Sequence, residues 1–402
     1  MKVLVVNCGN SSIKYRLIDM RDEKLLVKGL LERIGEAGSN LTQEIDDDRR
    51  TFQRDIADHH AGFGFIIEEL LADEHCPIRD ISEIAAVGHR VVHGAERFVE
   101  SVLIDGEVIK GIEDVQSLAP LHNPPNLTGI RAARELLPGV PHVAVFDTAF
   151  HQTMPDYAFM YALPYELYSK HRIRRYGFHG TSHRYVTDKA AKALHKDVHE
   201  ANLITCHLGN GCSMAAVRGG KSVDTTMGLT PLEGLVMGTR CGDIDPAITF
   251  FLAQRAGMEL ANIDAIYNKK SGLLGISGSS NDMRDIAGKA AKGDDRARLA
   301  LEMFAYRVRK YIGAYLAALG RTDAVVFAGG IGENSAIQRQ LICQGLEGLG
   351  IKFDKGRNGD PAAHGGFFST DDSPVKLMVI PTNEEIMIAR DTVTVAFGAA
   401  AK

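Results

Sequence analysis

Two arginines of this sequence lie in short glycine-containing segments that could present them to an anion. Arg90 belongs to residues 88–94 (GHRVVHG), at the end of an apolar run, and Arg240 belongs to residues 237–246 (MGTRCGDIDP). The planar guanidinium group donates two parallel hydrogen bonds to a carboxylate or a phosphate, a geometry that lysine cannot match. The chemistry indicated is the binding of such an anion. An arginine in an ordinary solvated loop is the alternative at each position.

A carboxylate and two histidines occupy comparable positions. Asp147 follows the apolar run 143–146, and the end of a buried strand is a common place for a catalytic or metal-binding aspartate, with a helix N-cap as the alternative. His122 lies in the proline-rich residues 119–125, which predict a rigid turn. His179 belongs to a Phe-His pair with a glycine on each side, so the backbone can bend and present the imidazole inward.

Metal binding is indicated near the C-terminal end of the sequence rather than at the histidines. His179 and His183 have the i, i+4 spacing of some zinc ligands, but no glutamate follows His179 and no third ligand is evident, so we do not expect zinc there. Residues 381–385 (PTNEE) follow an apolar run and supply carboxylates. Such hard oxygen ligands suit Mg²⁺, which binds through one or two carboxylates together with phosphates and water.

The two common nucleotide-binding loop motifs do not fit this sequence. Residues 219–222 (GGKS) match the end of a Walker A loop, but that motif requires a glycine where Ala215 stands. Residues 223–231, which follow, have no helical pattern, whereas a P-loop must open a helix whose N-terminus faces the phosphate. Residues 329–332 (GGIG) do not match the dinucleotide fingerprint G-x-G-x-x-G.

The sequence instead contains one candidate phosphate-binding device twice. Residues 3–17 (VLVVNCGNSSIKYRL) and 203–217 (LITCHLGNGCSMAAV) each run from an apolar segment through Gly-Asn to a second apolar segment. The two Gly-Asn pairs begin at Gly9 and Gly209, 200 positions apart. We predict two β-hairpins whose tips leave backbone N–H groups free and let a phosphate approach without meeting a Cβ atom. One hairpin in each half indicates an ancient duplication closing over one nucleotide.

Short apolar runs that end in glycine or polar residues occur along the whole chain and predict buried strands. These runs are residues 3–6, 84–87, 143–146, 203–206, 324–327 and 376–380. Helical patterns lie between them, and the longest, at residues 300–319, predicts a helix packed across a sheet. Residues 354–372, rich in Gly, Asp and Pro, predict surface loops. The alternation indicates an α/β fold, and 402 residues are too many for one core, so we expect two domains.

The composition excludes several classes of partner. A net charge of −5 gives no electrostatic reason to expect nucleic acid or an anionic membrane as a partner. No apolar run reaches transmembrane length, and the apolar start is too short for a signal peptide. The six cysteines form no C-x-x-C pair, and we expect a cytoplasmic protein with free thiols.

Taken in order, these segments resemble the acetokinase family, part of a superfamily that includes sugar kinases, chaperone ATPases and actin. The resemblance runs from VLVVNCGNSSIKY to PTNEEIMIAR and includes GHRVVHG, APLHNPPN, VFDTAFH, RRYGFHGTSH, HLGNG, MGTRCGDIDPA, DMR and GGIGEN. One position departs from it, because members more often have serine where Asn10 stands. Asparagine keeps a hydrogen-bonding group and tolerates turns, so only the role of that position is affected.

The resemblance implies roles for the residues of these motifs. Arg90 would contact the substrate carboxylate, and His179 and Arg240 would stabilise the transition state. The implied catalytic set is Asp147, His179, Arg240 and His122, and the implied substrate-binding set is Arg90, Val92, Leu121, Phe178 and Pro231. The implied ATP-binding set is Lys14, His207, Leu208, Gly209, Asn210, Gly211, Asp282, Met283, Arg284, Gly330, Ile331, Gly332, Glu333 and Asn334, and the implied metal ligands are Asn7 and Glu384. The implied cofactor is Mg²⁺, with Mn²⁺ as a substitute.

The resemblance also implies the architecture. We expect an α/β protein of two duplicated ribonuclease-H-like, actin-like ATPase domains with a nucleotide cleft between them. The first domain is expected to comprise residues 1–150 together with 385–402, and the second, nucleotide-binding domain residues 151–384. Members of the family form homodimers, so a homodimer is implied here.

The implied reaction is the reversible transfer of a phosphoryl group from ATP to acetate, giving acetyl phosphate and ADP. Phosphoryl transfer needs positioning and charge neutralisation more than covalent help. Acetate is ionised near neutral pH and has no proton for a base to remove. We therefore expect Asp147 to align Mg²⁺ or its water rather than to act as a general base.

Two alternatives remain open. A propionate kinase would run the same chemistry with a roomier pocket; relatives that prefer propionate tend to have a smaller residue where Val92 stands, so we expect acetate to be preferred. An actin-like or chaperone-like ATPase would keep both hairpins but would not need Arg90, His122 and His179. A chaperone would also need a peptide-binding domain, for which we expect no room before Lys402.

Overall fold

The computed structural model describes residues 1–72 and 77–398 and separates into two compact units. Unit 1 comprises Met1–Ala149 and Asn383–Lys402, and unit 2 comprises Phe150–Thr382. The first domain expected from the sequence ends at residue 150, one residue later than in the structure. It resumes at residue 385, two residues later than in the structure. Residues 399–402 of the expected first domain and Cys76 lie outside the described residues.

Unit 1 is built on an eight-stranded sheet. Its strands are β1 Lys2–Cys8, β2 Ser12–Asp19, β3 Lys24–Glu32, β4 Asn40–Ile45, β5 Asp48–Gln53, β6 Ile84–Val91, β7 Val102–Leu103 and β8 His142–Phe146. They lie in the order β5-β4-β3-β2-β1-β6-β8-β7. The helices of this unit are α1 His59–Leu70, α2 Gly106–Asp114, α3 Asn123–Leu136 and the C-terminal helix Glu384–Phe397.

The core of unit 1 follows from the alternation of its strands. Apolar side chains on one face of β1 and β2, such as Leu4 and Ile13, are buried together with Phe63 of α1 and Ala133 of α3. The C-terminal helix packs on β1, β6 and β8. Gly88 of β6 permits this contact, since a Cβ atom there would clash with Thr392 of the helix.

Unit 2 is built on a five-stranded sheet. Its strands are β9 Asn202–Leu208, β10 Cys212–Arg218, β11 Lys221–Thr225, β12 Ala324–Ala328 and β13 Lys376–Val379, in the order β11-β10-β9-β12-β13. Its helices are α4 Asp156–Phe159, α5 Tyr165–His171, α6 Gly180–Ala193, α7 Ala247–Arg255, α8 Leu260–Lys269, α9 Gly272–Ser277, α10 Met283–Ala291, α11 Asp295–Leu319, α12 Gly329–Asn334, α13 Ala336–Cys343 and α14 Lys355–Gly359. Val186 and Ala190 of α6 are buried against Leu203 of β9 and Val217 of β10. None of the helices in the described parts of the chain is both long and apolar enough to cross a membrane.

The two sheets share one five-strand pattern. In unit 1 the order is β3-β2-β1-β6-β8, and in unit 2 it is β11-β10-β9-β12-β13. In each, the first three strands are antiparallel, and the last two follow in parallel. The predicted α/β class and the predicted duplication are therefore confirmed at the level of topology.

Most of the predicted elements occur. All six predicted strands are present as β1, β6, β8, β9, β12 and β13, and the predicted helix forms most of α11. The prediction of surface loops at residues 354–372 was wrong in part, because that segment contains α14 and the fully buried Phe368. The Phe368 ring packs against Phe327 of β12 at a centroid distance of 5.5 Å. One aromatic side chain thus attaches a segment of loop-like composition to the core.

Candidate active site

The tip of the first hairpin is fixed by backbone and side-chain hydrogen bonds within unit 1. The Gly9 N–H donates to the Ser12 carbonyl at 2.8 Å and closes the turn, so this N–H group is not free as the sequence suggested. His59 Nε2 lies 2.8 Å from the Gly9 carbonyl oxygen, and Asn126 Nδ2 donates to the Cys8 carbonyl at 2.8 Å. Helices α1 and α3 therefore hold the hairpin tip from two sides.

Arg90 and Asp147 are paired at the carboxyl ends of β6 and β8. Arg90 Nε donates to Asp147 Oδ1 at 2.9 Å and Arg90 Nη2 donates to Oδ2 at 2.6 Å, a two-pronged contact. β6 and β8 are parallel neighbours, which places their ends at the same sheet edge. Burial lowers the pKa of the Arg90 guanidinium group. The nearby carboxylates of Asp147 and Glu384 raise it by more, so the pKa lies above its ordinary value. Asp147 is only 2% exposed, so losing its partner would leave a buried charge.

A polar pocket of about 80 Å³ lies beside Arg90 in the same unit. Its lining residues are Val5, Asn7, Lys14, Tyr15, Arg16, Arg90, Glu384, Glu385 and Ile388. Lys14 Nζ lies 3.0 Å from one oxygen of Glu385, and Arg16 Nη1 lies 3.4 Å from the other. Burial raises the pKa of Glu384; Arg90 opposes this rise and Asp147 adds to it. The predicted metal ligands Asn7 and Glu384 are thus brought to one pocket, together with Lys14.

The other predicted residues of unit 1 lie where α3 begins. The proline-rich segment predicted as a rigid turn starts this helix, with His122 at the N-cap and prolines in the first turn. His122 is half-buried, and Leu121 is 58% exposed. Asn126 Oδ1 accepts from the Val92 N–H at 3.1 Å, which fixes the backbone of that predicted substrate-binding residue.

In unit 2, His179 and Arg240 flank the tip of the second hairpin. A Cβ atom added at Gly211 would lie 3.5 Å from both His179 Cε1 and Arg240 Nη1. His179 has a left-handed backbone with φ of 55°, a conformation that costs energy for a residue with a Cβ atom and that recurs at functional sites. Arg240 Nη1 donates to the Pro231 carbonyl at 3.2 Å. Two predicted catalytic residues and one predicted substrate-binding residue therefore meet at this tip.

The His179 ring is held on two sides. Its Nδ1 lies 2.9 Å from Ser213 Oγ, and its face stacks on the His207 ring at a centroid distance of 4.3 Å. His207 Nδ1 in turn lies 2.8 Å from Ser182 Oγ. Phe178, which precedes His179, is fully buried.

A cavity of about 790 Å³ in unit 2 lies beside the second hairpin tip, within the size range of small-molecule sites. Three separate stretches of the chain contribute its lining. These residues are Gly209, Asn210, Asn281, Asp282, Met283, Arg284, Ala287, Gly330, Ile331, Asn334, Ser335, Ala336 and Ile337. The structure thus brings the second hairpin, the start of α10 and the turn into α12 to one cavity, as expected for a nucleotide site.

Some predicted ATP-binding residues lie outside this lining. They are Lys14, His207, Leu208, Gly211, Gly332 and Glu333. Leu208 is fully buried in the core, and Lys14 belongs to unit 1. Glu333 Oε1 accepts from the N–H groups of Gly329 at 2.7 Å and Thr382 at 3.0 Å, so Glu333 fixes the turn that shapes the cavity rather than facing it.

Sequence reasoning missed several residues that the structure places at these sites. Asn281 donates to the side chain of Asn210 at 2.9 Å, and Ser213 contacts His179. Asn126 fixes both the first hairpin and Val92. Asn281 directly precedes the DMR motif and could have been found by extending it. Asn126 ends the APLHNPPN segment and Ser213 lies in the second hairpin, but neither position indicates the contacts that the fold gives these side chains.

Comparison with known proteins identifies the family. A model of the acetokinase family matches residues 2–390 of this chain. The chain belongs to the acetokinase family. The match extends over nearly the whole of both units, so the family assignment covers every segment that forms the candidate active site.

Relatives within the acetokinase family are similar over the full chain. An acetate kinase of Clostridium botulinum (strain Loch Maree / Type A3) is 58% identical over 392 residues, and one of Thermotoga maritima is 57% identical over 394 residues, in each case covering 98% of both chains. The crystal structure of Porphyromonas gingivalis acetate kinase superposes with a TM-score of 0.93 at 46% identity, covering 98% of this chain and 99% of that chain. A propionate kinase from Francisella tularensis subsp. tularensis SCHU S4 superposes with a TM-score of 0.92 at 45% identity, with the same coverage.

The acetokinase fold alone does not discriminate between the two acids. The acetate kinase and the propionate kinase superpose almost equally well on this chain. Val92 and Phe178, two of the residues predicted to bind the substrate, are 8% and 1% exposed.

Proposed function

We propose that this protein catalyses the reversible transfer of a phosphoryl group from ATP to the carboxylate of acetate, giving acetyl phosphate and ADP. The observation that carries this proposal is the acetokinase family match over residues 2–390, with acetate kinases 57% and 58% identical across 98% of the chain. The protein is an enzyme of the phosphotransferase class with ATP as a substrate.

The nucleotide is assigned to the cavity of unit 2. Its volume of about 790 Å³ suits a ligand of nucleotide size. Its wall combines an apolar side chain, Ile337, with glycines at Gly209 and Gly330, where a phosphate can approach the backbone closely. Glu333 keeps the turn at Gly329 in place by its two backbone contacts.

We assign the binding of the substrate carboxylate to Arg90. Asp147 accepts hydrogen bonds from Nε and Nη2, which leaves Nη1 of the same guanidinium group to donate to a second carboxylate. Asp147 thereby orients Arg90, a role that adds to the alignment of Mg²⁺ expected from the sequence. Because acetate is already ionised, Asp147 has no proton to remove.

We assign the stabilisation of the charge that develops on the transferred phosphoryl group to His179, Arg240 and His122. His179 and Arg240 both flank Gly211, so the fold itself holds these two groups together. Burial lowers the pKa of Arg240, but guanidinium remains a cation at any physiological pH. A fixed cation in a partly buried place stabilises developing negative charge more strongly than one in water.

We assign the Mg²⁺ site to Asn7 and Glu384, which line one pocket of unit 1. Glu384 is a carboxyl group whose pKa is raised by burial, so a bound cation would favour its charged form. The described residues contain no cluster of three or more His, Cys, Asp or Glu side chains that could hold a metal. The donor set fits Mg²⁺ bound through one carboxylate with phosphate oxygens and water. When bound, the ion neutralises phosphate charge.

Propionate is the second candidate substrate, because a propionate kinase superposes on this chain with a TM-score of 0.92. Val92 retains a branched side chain at the position expected to face the acyl group. One methylene changes binding in an apolar pocket by roughly 1–3 kcal/mol. We therefore expect propionate to be accepted with a lower kcat/KM than acetate.

A homodimer and a cytoplasmic location complete the proposal. Phe250 and Phe251 of α7 are each 64% exposed and Leu260 of α8 is 67% exposed, and such apolar surface commonly marks an interface. Light scattering after size exclusion tests the dimer. The cysteines in the described parts of the chain are all free thiols, as in reducing compartments.

An acyl-phosphate assay tests the function directly. The protein is incubated with ATP, Mg²⁺ and either acetate or propionate, and acyl phosphate is trapped with hydroxylamine. We expect product with both acids and a higher kcat/KM for acetate. A higher kcat/KM for propionate would make propionate the substrate, and ATP hydrolysis without acyl phosphate would favour the actin-like ATPase alternative.

A further inference from the structure

A chain of hydrogen bonds runs from His179 into the core of unit 2. Ser213 Oγ lies 2.9 Å from His179 Nδ1 and 2.8 Å from His183 Nε2, so one hydroxyl joins the two imidazoles. His183 Nδ1 lies 2.8 Å from Thr205 Oγ1. Ser213, His183 and Thr205 are fully buried, and their partners are therefore fixed by the protein rather than by solvent.

We propose that Ser213 is a positioning residue that fixes the ring orientation and the tautomer of His179. The inference rests on the proposed catalytic role of His179 and deepens it. It makes Nε2, with its hydrogen, the atom that His179 presents beside Gly211 and Arg240. The phosphoryl group would then meet a hydrogen-bond donor without a change in the charge of the ring.

The direction of the hydrogen bonds in this chain follows from its two innermost residues, His183 and Thr205. His183 is buried among His151 and His207, and burial holds its pKa well below the ordinary value, so it is neutral and carries one ring hydrogen. The Thr205 hydroxyl lies 2.8 Å from His183 Nδ1 but 3.5 Å from the Ala215 carbonyl. Since a normal O–H donor bond is shorter than about 3.0 Å, Thr205 donates to His183 Nδ1.

The remaining assignments follow in sequence. With Nδ1 accepting, the single hydrogen of His183 is on Nε2 and is donated to Ser213 Oγ. The Ser213 hydroxyl hydrogen is then donated to His179 Nδ1, which leaves the hydrogen of a neutral His179 on Nε2. These hydrogen positions are assigned from the network.

The surroundings of His179 favour this neutral donor form. The guanidinium group of Arg240 lies on the same side of Gly211, and its positive charge opposes a second cation nearby. The His207 ring stacks on His179 and is bound through its own Nδ1 to Ser182. Arg240 and the His207 ring thus both lie beside His179.

A double-mutant cycle tests whether Ser213 acts through His179. Ser213→Ala is expected to lower kcat for acetyl phosphate formation about 10- to 100-fold, the usual effect of losing a residue that orients a functional side chain, with KM values for ATP and acetate unchanged. In a His179→Ala background the same substitution is expected to change kcat less than about twofold, since residues that act as a unit are not additive. Equal losses in both backgrounds would overturn the proposal.

Two further variants separate positioning from stability. Ser213→Thr keeps the hydroxyl and is expected to recover most of the activity. Ser373→Ala removes another buried serine of unit 2, which binds the Lys352 N–H at 2.9 Å, and is expected to lower the melting temperature without lowering kcat. A loss of kcat in Ser373→Ala equal to that in Ser213→Ala would contradict a specific role.

A measurement on the unmodified protein covers the case in which Ser213→Ala does not fold. In protein with ¹⁵N-labelled histidine, the His179 signals are assigned by their absence from His179→Ala. At neutral pH we expect Nε2 to be protonated and Nδ1 not. A hydrogen on Nδ1 would overturn the assignment, whereas absence of acyl-phosphate activity in the unmodified protein would overturn the proposed function alone.

Discussion

The two Gly-Asn hairpins have the same backbone plan but different side chains around their tips. The first, between β1 and β2, has Lys14 and Arg16 ion-paired with Glu385, and the same unit contains the Arg90–Asp147 pair. The second, between β9 and β10, has instead stacked imidazoles, hydroxyl groups and Arg240 bonded to a carbonyl oxygen. Both hairpins start from the same strand order, so the difference lies in the side chains.

This difference indicates a division of chemical work between two copies of one fold. Fixed, paired charges as in unit 1 suit the binding of a metal ion and an ionised acid, which carry full charges before the reaction. Hydroxyl groups, imidazoles and Arg240, as at the second tip, suit a nucleotide and a phosphoryl group whose charge is redistributed during transfer. Under the proposed assignment, the shared strand order supplies the scaffold, and the side chains around each tip supply the two halves of the chemistry.

The largest predicted effect concerns the binding of the acid substrate. Arg90→Ala is expected to lower kcat/KM for acetate about 10³-fold, roughly 4 kcal/mol, because it removes the carboxylate partner and leaves Asp147 buried without its cation. The dissociation constant for ADP, measured by calorimetry, should change less than about twofold, since we propose that the nucleotide binds to unit 2. Arg97→Ala, which breaks a solvent-exposed pair with Asp114, is the matched control and should leave both values unchanged. Equal losses of acetate and ADP binding in Arg90→Ala would contradict the proposed division of binding between the two units.

The second prediction concerns Asp147. Asp147→Asn keeps the shape of the side chain but removes the charge that orients Arg90, and it should lower kcat about 10²-fold. The Mg²⁺ concentration needed for half-maximal rate should rise in parallel. Titration of the rate with Mg²⁺ at several pH values checks this. Normal Mg²⁺ dependence combined with a shifted pH–rate profile would instead indicate a general base.

The third prediction concerns the nucleotide cavity. Ile337→Asp places a charge on an apolar part of the cavity wall and should raise the KM for ATP about tenfold, close to the cost of losing one apolar contact. The KM for acetate should not change. Leu349→Asp, a substitution of a similarly exposed leucine of unit 2 outside the lining, is the control and should have no effect. A rise in the acetate KM alone would place the nucleotide elsewhere.

The smallest predicted effect concerns substrate size. Val92→Ala enlarges the space beside the acyl group and should raise the ratio of kcat/KM for propionate to that for acetate about five- to tenfold, near the low end of what one methylene contributes. Competition between the two acids in the acyl-phosphate assay measures the ratio. An unchanged ratio would mean that Val92 does not face the acyl group.

The parts of this molecule that could be predicted from sequence are those with a local signal. Runs such as residues 324–327 are apolar and short whatever surrounds them, so their strands could be read directly. The two hairpins were predictable for the same reason, because Gly-Asn lies between two such runs. The duplication followed from comparing one run with another.

The parts that could not be predicted depend on contacts between distant residues. Arg90 and Asp147 were each selected as candidates, but nothing in the sequence indicates that they pair across 57 positions. Asn126 donates a hydrogen bond to the Cys8 carbonyl, 118 positions away in the sequence. The role of Ser213 depends on the imidazoles that the fold places beside its hydroxyl group. Polar residues of this kind look ordinary in sequence because their partners are defined by topology.

A crystal structure with ADP, acetate and a planar phosphoryl mimic tests the division of work most directly. The account predicts ADP in the cavity lined by Gly209, Asn281 and Ile337, the mimic within hydrogen-bond distance of His179 Nε2 and Arg240, and the acetate carboxylate on Arg90. Binding of the nucleotide beside Lys14 and Glu385 of unit 1, with the unit 2 cavity empty, would contradict it.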